Sequence, residues 1–270
     1  MNKYTESATF IKSKIKTLPE VGIILGSGLG NLGSKIKAEI QMPYNQIPNF
    51  PVSTVEGHSG QLVIGELGGK QVAVMQGRFH YYEGYDMKQV TFPVRVMKLL
   101  GIKTLIVSNA AGGLNPNFRA SDIMIITDHI NFFADNPLRG KNLDSFGVRF
   151  PDMSKAYSPR LIEMALQIAK EENIKVQKGV YVGSSGPTLE TPSEYSMFRI
   201  LGADATGMST VPEVIVANHS GIEVFGLSVI ANVDKPADPE KGTTHEEVQN
   251  IAGMVEPNMT KLITQLVAKL

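Results

Sequence analysis

Cysteine is absent from the 270-residue chain. That excludes disulfides, thiolate catalysis and sulfur-based metal sites, and by itself says nothing of the compartment. Long apolar runs are missing too. No stretch approaches the roughly 18 residues of a membrane span. The N-terminal MNKYTESATFIKSKIKTLPE lacks the continuous apolar core of an export signal and reads as a short amphipathic helix. Nor is there an excess of either charge. Lys+Arg and Asp+Glu both number 26, so no global field would recruit nucleic acid or an anionic membrane, and any anion site must be local. There is no internal repeat, low-complexity tract or composition break. What remains is a chain with 42% hydrophobic residues, able to bury a large core. The expectation is one cytoplasmic domain over residues 1–270.

One stretch organises the rest, residues 180–218 (VYVGSSGPTLETPSEYSMFRILGADATGMSTVPEVIVAN). It opens as a strand, breaks at Ser184-Ser185-Gly186-Pro187, and then carries two helix starts. Thr191-Pro192-Ser193-Glu194 is a capping box with proline just inside the helix, and Thr210-Val211-Pro212-Glu213 reads as the same device. Helix starts present unpaired N–H groups, which suit an anion or polar ligand. Glu190 precedes one start and Met208-Ser209 the other. The plain structural alternative is that both threonines begin surface helices and Glu190 is merely solvated.

Along the chain, Val21–Leu25 is a wholly apolar strand, as a sheet covered on both faces requires. It enters GSGLGNLG (residues 26–33), a loop able to wrap a phosphate. Although GLGNLG fits G-x-G-x-x-G, no second strand ending in an acid follows about 20 residues on, and residues 43–51 read as loop. Gln61–Leu67 and Lys70–Gln76 form a hairpin across Gly68-Gly69. After it, Arg78 and His80 lie two apart at a strand end and can point the same way. Arg78 offers a fork of donors and His80 one more; the alternative is a surface ion pair between Arg78 and Glu83. Asp86 caps a helix with Val90, Val94, Met97 and Leu100 inward. Residues 104–107 (TLIV) form a buried strand ending in SNAAGGLNP, whose small residues allow close approach, with the Ala110 N–H as a donor. Residues 122–127 are strand-like, and His129 beside Asp128 reads as structural. Residues 131–159 are an irregular loop long enough to be a lid or subunit contact. Residues 161–172 are helical, 224–230 a last central strand, and Thr244-His245-Glu246-Glu247 opens a final helix. The architecture expected is a single α/β domain around a mixed, largely parallel central sheet flanked by helices. Ser27, Arg78, Ala110, Glu190 and Asn232 follow strand ends, where ligands of such sheets collect.

GSGLG, GRFHYYEGY, TFPVRV, SNAAGGLNP, GPTLET, GMSTVPEV and HEEV occur in that order. Together they resemble the purine nucleoside phosphorylases of the low-molecular-mass, trimeric type, from about Gly22 to the last helix. The resemblance implies reversible phosphorolysis of 6-oxopurine (deoxy)ribonucleosides, such as inosine and guanosine, in purine salvage. Phosphate is the co-substrate, and no metal or organic cofactor is implied. It further implies that Ser27, His58, Arg78, His80, the Ala110 backbone and Ser209 hold phosphate. Tyr82, Met208 and His245 match sugar contacts. Glu190 and Asn232, with Leu189 and Thr206, match the base side, and Asn232, His80 and Glu190 are the expected catalytic groups. Phe150 matches an aromatic residue that reaches the site of an adjoining subunit of a homotrimer. Leu189 and Ala231 depart from relatives that carry phenylalanine and threonine there.

That reaction needs such an inventory. Glycosidic cleavage makes an oxocarbenium-like sugar while charge builds on the departing base, and donors aimed at developing charge are a large catalytic term. A methylthioadenosine phosphorylase is a second reading; those relatives place aspartate where Asn232 stands, although Asp234 lies two residues on. A non-catalytic nucleoside receptor is a third, and it has no use for a phosphate subsite.

Overall fold

The computed structural model describes residues 2–26, 30–54, 59–233 and 244–270, with the backbone alone at positions 31 and 245. In chain order the elements are α1 (Lys3–Lys12), β1 (Val21–Leu25), β2 (Lys37–Pro43), β3 (Gln61–Leu67), β4 (Lys70–Gln76), α2 (Met87–Val90), α3 (Phe92–Leu100) and β5 (Thr104–Gly113). There follow β6 (Ile123–Asn131), α4 (Pro159–Glu171), β7 (Val176–Gly183), α5 (Pro192–Ile200), β8 (Ala205–Gly207), α6 (Val211–His219), β9 (Glu223–Val233) and α7 (His245–Ala268).

Local chemistry explains most boundaries. Gly68 (φ 58°) and Gly69 (φ 79°) close the β3–β4 hairpin, a two-residue turn in which both residues need positive φ. Asp86 accepts from the Gln89 N–H, and the helix it starts breaks at Thr91. There Pro93 lacks the N–H that would continue the ladder, and α3 runs on to Gly101 at φ 103°. Thr191 and Thr244 each form the capping box expected of them.

The sheet order is β2-β3-β4-β1-β5-β8-β7-β6-β9, with β5 also paired to β9. That extra pairing closes β5, β8, β7, β6 and β9 into a ring, a barrel-like half joined through β5 to an open half. Among the described residues five of the nine pairings are parallel and four antiparallel, so the sheet is mixed and parallel at its centre. Bulges between Ala111 and Gly112 and between Ile126 and Asp128 supply the bending that closure requires. Alternate residues feed two cores. Ile24, Leu105 and Val107 pack toward α1, α3 and α6, while Ile23, Leu25 and Ile106 pack toward α4 and α7. Each such side chain contributes roughly 1.5–3 kcal/mol of burial.

Two expectations change. β5 does not end at Val107 but continues through Asn109, Ala110 and Ala111 to Gly113, and β9 carries Ala231 and Asn232 within it. β9 and β8 flank this half of β5, and that pairing overrides the turn preference of Asn and Gly. The strand β2 was not legible: KAEIQMP carries charge and a proline, which an edge strand on β3 tolerates.

Candidate active site

A cavity of about 600 Å³ opens where β4, β5, β7 and β9 end. Its deep wall is Arg78, 2% exposed, just past β4. Arg78 Nε donates to Glu213 Oε1 at 3.0 Å. Its Nη1 donates to the Ser108 carbonyl at 2.7 Å and to Ser209 Oγ at 3.1 Å. Glu213 is therefore not the reciprocal partner of a cap at Thr210. Thr210 has φ 71° and ψ −55° with no side-chain cap, and the Val211 N–H closes on the Ser209 carbonyl at 2.8 Å. This is a γ-turn on a β-branched residue, a conformation that costs roughly 1–3 kcal/mol. Asn109 Nδ2 holds it by donating to Thr210 Oγ1 at 2.8 Å. The expected capping box is thus overturned: Glu213 is drawn inward by the buried Arg78, and α6 is a core helix rather than a surface one.

Beside Arg78, Glu83 also pairs otherwise than the surface alternative supposed. The His80 Nδ1–H faces Glu83 Oε1 at 2.9 Å, the His80 backbone N–H donates to the same oxygen at 2.8 Å, and Thr54 donates twice to Oε2. Burial would raise the Glu83 carboxyl, but these hydrogen bonds overcome it and hold it at about 2. Burial lowers the His80 imidazole despite Glu83. Tyr82 stacks on the His80 ring at 4.6 Å, and its phenol is pushed up to about 12 by burial, aided by Glu83. Met208 and Ala110 line the same region.

At the other end, Thr206 Oγ1 donates to Glu190 Oε1 at 2.6 Å. Asn232 Nδ2 donates to the Tyr195 hydroxyl at 3.2 Å. Leu189 and Ala231 complete this end, over a floor at Gly112. A Cβ at Gly112 would lie 2.9 Å from the Tyr195 hydroxyl oxygen, so a larger residue here would displace that hydroxyl.

The structure therefore gathers Arg78, His80, Tyr82, Ala110, Leu189, Glu190, Thr206, Met208, Ser209 and Asn232 around one cavity. Phe150 is not among its lining residues and stands 87% exposed on the long loop. Ser27, His58, Asp234 and the His245 side chain lie outside the described residues. His129 stays away from the cavity, edge-on to Tyr157 and 3.3 Å from its hydroxyl. Tyr195, Asn109 and Glu83 were missed as lining residues. Tyr195 had a usable signal, since it sits one turn into a capped helix already suspected of facing a ligand. Among the described residues there is no cluster of His, Asp and Glu that could hold a metal, and no helix is long and apolar enough to cross a membrane.

The Phosphorylase superfamily matches residues 20–268 of this chain. The chain is 53% identical to "Purine nucleoside phosphorylase 1" of Bacillus subtilis (strain 168), covering 99% of this chain and 98% of that protein. It also superimposes on Schistosoma mansoni purine nucleoside phosphorylase solved in complex with adenosine, with TM-score 0.93 and 44% identity over 99% of this chain and 96% of that one. A structure of that organism's enzyme in complex with inosine gives TM-score 0.93 at 42% identity, with the same coverage.

Proposed function

We propose a specific reaction for this chain, which belongs to the phosphorylase superfamily and within it to the purine nucleoside phosphorylases: phosphorolysis of 6-oxopurine nucleosides, inosine and guanosine before adenosine. The observation that carries the base preference is the Glu190 carboxylate fixed by Thr206, in the same end of the cavity as the Asn232 amide. The Glu190 carboxylate, an acceptor to Thr206 already, accepts in the same way from N1–H of hypoxanthine or guanine. Adenine offers a bare N1 lone pair there, and a site whose placed acceptor is left without its donor discriminates against that analogue. The Schistosoma mansoni enzyme was solved with adenosine, so the preference proposed for this chain is one of catalytic efficiency and is tested by turnover rather than by binding.

In this mechanism phosphate sits between Arg78, Ser209 and His80, with the Ala110 backbone and, from the resemblance, Ser27 and His58. With Nδ1–H given to Glu83, Nε2 of neutral His80 is an acceptor, suited to the hydroxyl of hydrogen phosphate. Tyr82 and His245 bind sugar hydroxyls, and Met208 lies under the ring. A phosphate oxygen bonds to C1′ as the C1′–N9 bond breaks; the electron pair of that bond passes to the base, and the proton that hydrogen phosphate brought ends on the base, at N7, leaving ribose 1-phosphate as the dianion. Asn232, kept in orientation by Tyr195, accepts from protonated N7 and donates to O6, where charge develops. The products are free base and ribose 1-phosphate. We further propose a homotrimer in which the exposed Phe150 of one subunit completes the sugar side of the next.

The decisive assay follows absorbance with inosine, guanosine, adenosine and methylthioadenosine, each with and without phosphate. Inosine and guanosine should exceed adenosine in kcat/KM by on the order of 10², and turnover should require phosphate. Asn232→Asp should narrow the gap by accepting from the 6-amino group. Equal efficiency for adenosine and inosine would overturn the base assignment. Full activity in a sedimenting monomer would overturn the trimer.

A further inference from the structure

Outside the lining of the cavity, a buried arginine sits without an acidic partner among the described residues. Arg95, on α3, is 5% exposed. Its guanidinium lies 4.8 Å from the Phe146 ring centroid. One nitrogen, Nη1, donates to His219 Nδ1 at 2.8 Å and to Ser220 Oγ at 2.8 Å. Guanidinium can only donate, so Nδ1 must accept, and His219 is neutral with its proton on Nε2. Burial, then Arg95, with Arg149 adding to them, lowers the His219 imidazole against the Val148 backbone, consistent with that form. Nε2–H then donates to Asn142 Oδ1 at 3.1 Å. The Asn142 amide passes the direction on, donating to the Gly147 carbonyl at 3.0 Å and to Asp144 Oδ1 at 2.7 Å.

Every member of this chain has its donor and acceptor roles set by the arginine at its head. The backbone reinforces the contact, since a Cβ at Gly147 would fall 1.8 Å from the His219 carbonyl oxygen. What the chain grips is residues 142–147, immediately before Val148, Arg149 and Phe150. The helix it is anchored to, α6, runs from Val211, two residues after the cavity-lining Ser209, to His219, a span of roughly 13 Å.

We propose that the Arg95–His219–Asn142 relay is a positioning device that sets the loop carrying Phe150, and through it the nucleoside affinity of the adjoining subunit's site. This rests on the reading that Phe150 enters that site. None of the three touches substrate. A loop gripped before Phe150 loses less freedom when that ring docks, and such preorganisation shows in affinity rather than in chemistry.

The chain contains no tryptophan, so Phe150→Trp creates a single reporter. The perturbing variant is Asn142→Asp, which keeps the oxygen that accepts from His219 but turns the donor arm into an acceptor facing Gly147 and Asp144. In the otherwise natural chain it should raise the nucleoside KM about tenfold, the weight of roughly one hydrogen bond, while kcat and the phosphate KM stay within twofold. In the Phe150→Trp background the same change should shift the emission to the red and weaken its response to nucleoside. Arg95→Met should do the same, and Arg95→Lys, which restores a donor to Nδ1, should recover most of the loss. Asn142→Ala carries the same expectation if Asn142→Asp does not fold. Unchanged nucleoside KM and emission in a folded Asn142 variant would overturn the proposal. So would a parallel rise in phosphate KM, which would trace the effect through α6 rather than the loop. Failure of the natural chain to use phosphate would sink the phosphorylase reading and leave the emission result standing.

Discussion

The two ends of the cavity are built differently. At the proposed phosphate end, Arg78, Thr210 and Glu213 are all buried and locked to one another through Ser108, Ser209 and Asn109. At the proposed base end, Leu189 is 53% exposed, and Glu190 and Asn232 are partly buried, held by Thr206 and Tyr195. A phosphate is one shape and one charge, and a rigid array of donors can be formed in advance for it. Bases differ by single donors and acceptors, and a thinly anchored end can change specificity without unfolding the protein. Stability and phosphate recognition should therefore fail together at one end, while at the other selectivity should change alone.

The largest effect that could break this contrast is at Arg78. Arg78→Ala leaves Glu213 buried beside a cavity, and removing one partner of a buried pair costs roughly 3–5 kcal/mol. Urea unfolding should show that loss, together with a steep rise in the phosphate KM. The double variant Arg78→Met/Glu213→Leu should restore much of the stability and none of the phosphate use. Recovery of both would mean that Arg78 is structural only.

A middle-sized effect comes from Glu83. Its carboxyl is depressed to about 2 in the folded protein, so its stabilisation is complete above the ordinary carboxylate value and is lost as pH falls toward 2. Glu83→Gln should cost roughly 1.5–3 kcal/mol at neutral pH, as charged hydrogen bonds do. The gap from the natural chain should hold down to about pH 4.5 and then shrink, as the unfolded chain takes up its proton. A gap independent of pH between 7 and 3 would show that shape, not charge, is what His80 and Thr54 recognise.

The smallest effect sharpens the comparison. Thr206→Val keeps the volume but removes the donor to Glu190, worth about 1 kcal/mol. Inosine kcat/KM should fall by less than tenfold, with the phosphate KM and the unfolding midpoint unmoved. A stability loss as large as that of Arg78→Ala would erase the distinction between the two ends.

Much of this was legible beforehand, and for identifiable reasons. The apolar run Val21–Leu25, the Gly68-Gly69 turn and the capping boxes at Thr191 and Thr244 are local signals, each satisfied by atoms within a few residues. Where a distant partner competes, the same reasoning fails. Thr210-Val211-Pro212-Glu213 has the letters of a capping box, yet Glu213 is claimed by Arg78 and Thr210 by Asn109, partners 135 and 101 positions away. The SNAAGG segment has the letters of a turn and is held as strand between neighbours from later in the chain.

The sequence alone therefore determined which residue types would meet: a guanidinium, an imidazole, a hydroxyl, a carboxylate and an amide near the carboxyl ends of strands, in a covered α/β sheet. Only the tertiary structure decided how each is held. It closed half of the sheet into a ring through the β5–β9 pairing. It also twisted Thr210 into a strained turn, gave Glu83 to His80, and set Arg95 and His219 under the Phe150 loop. Hydrogen-bond partners and strand neighbours are chosen by proximity across the fold, and proximity between residues a hundred positions apart is a property of packing that no local pattern carries.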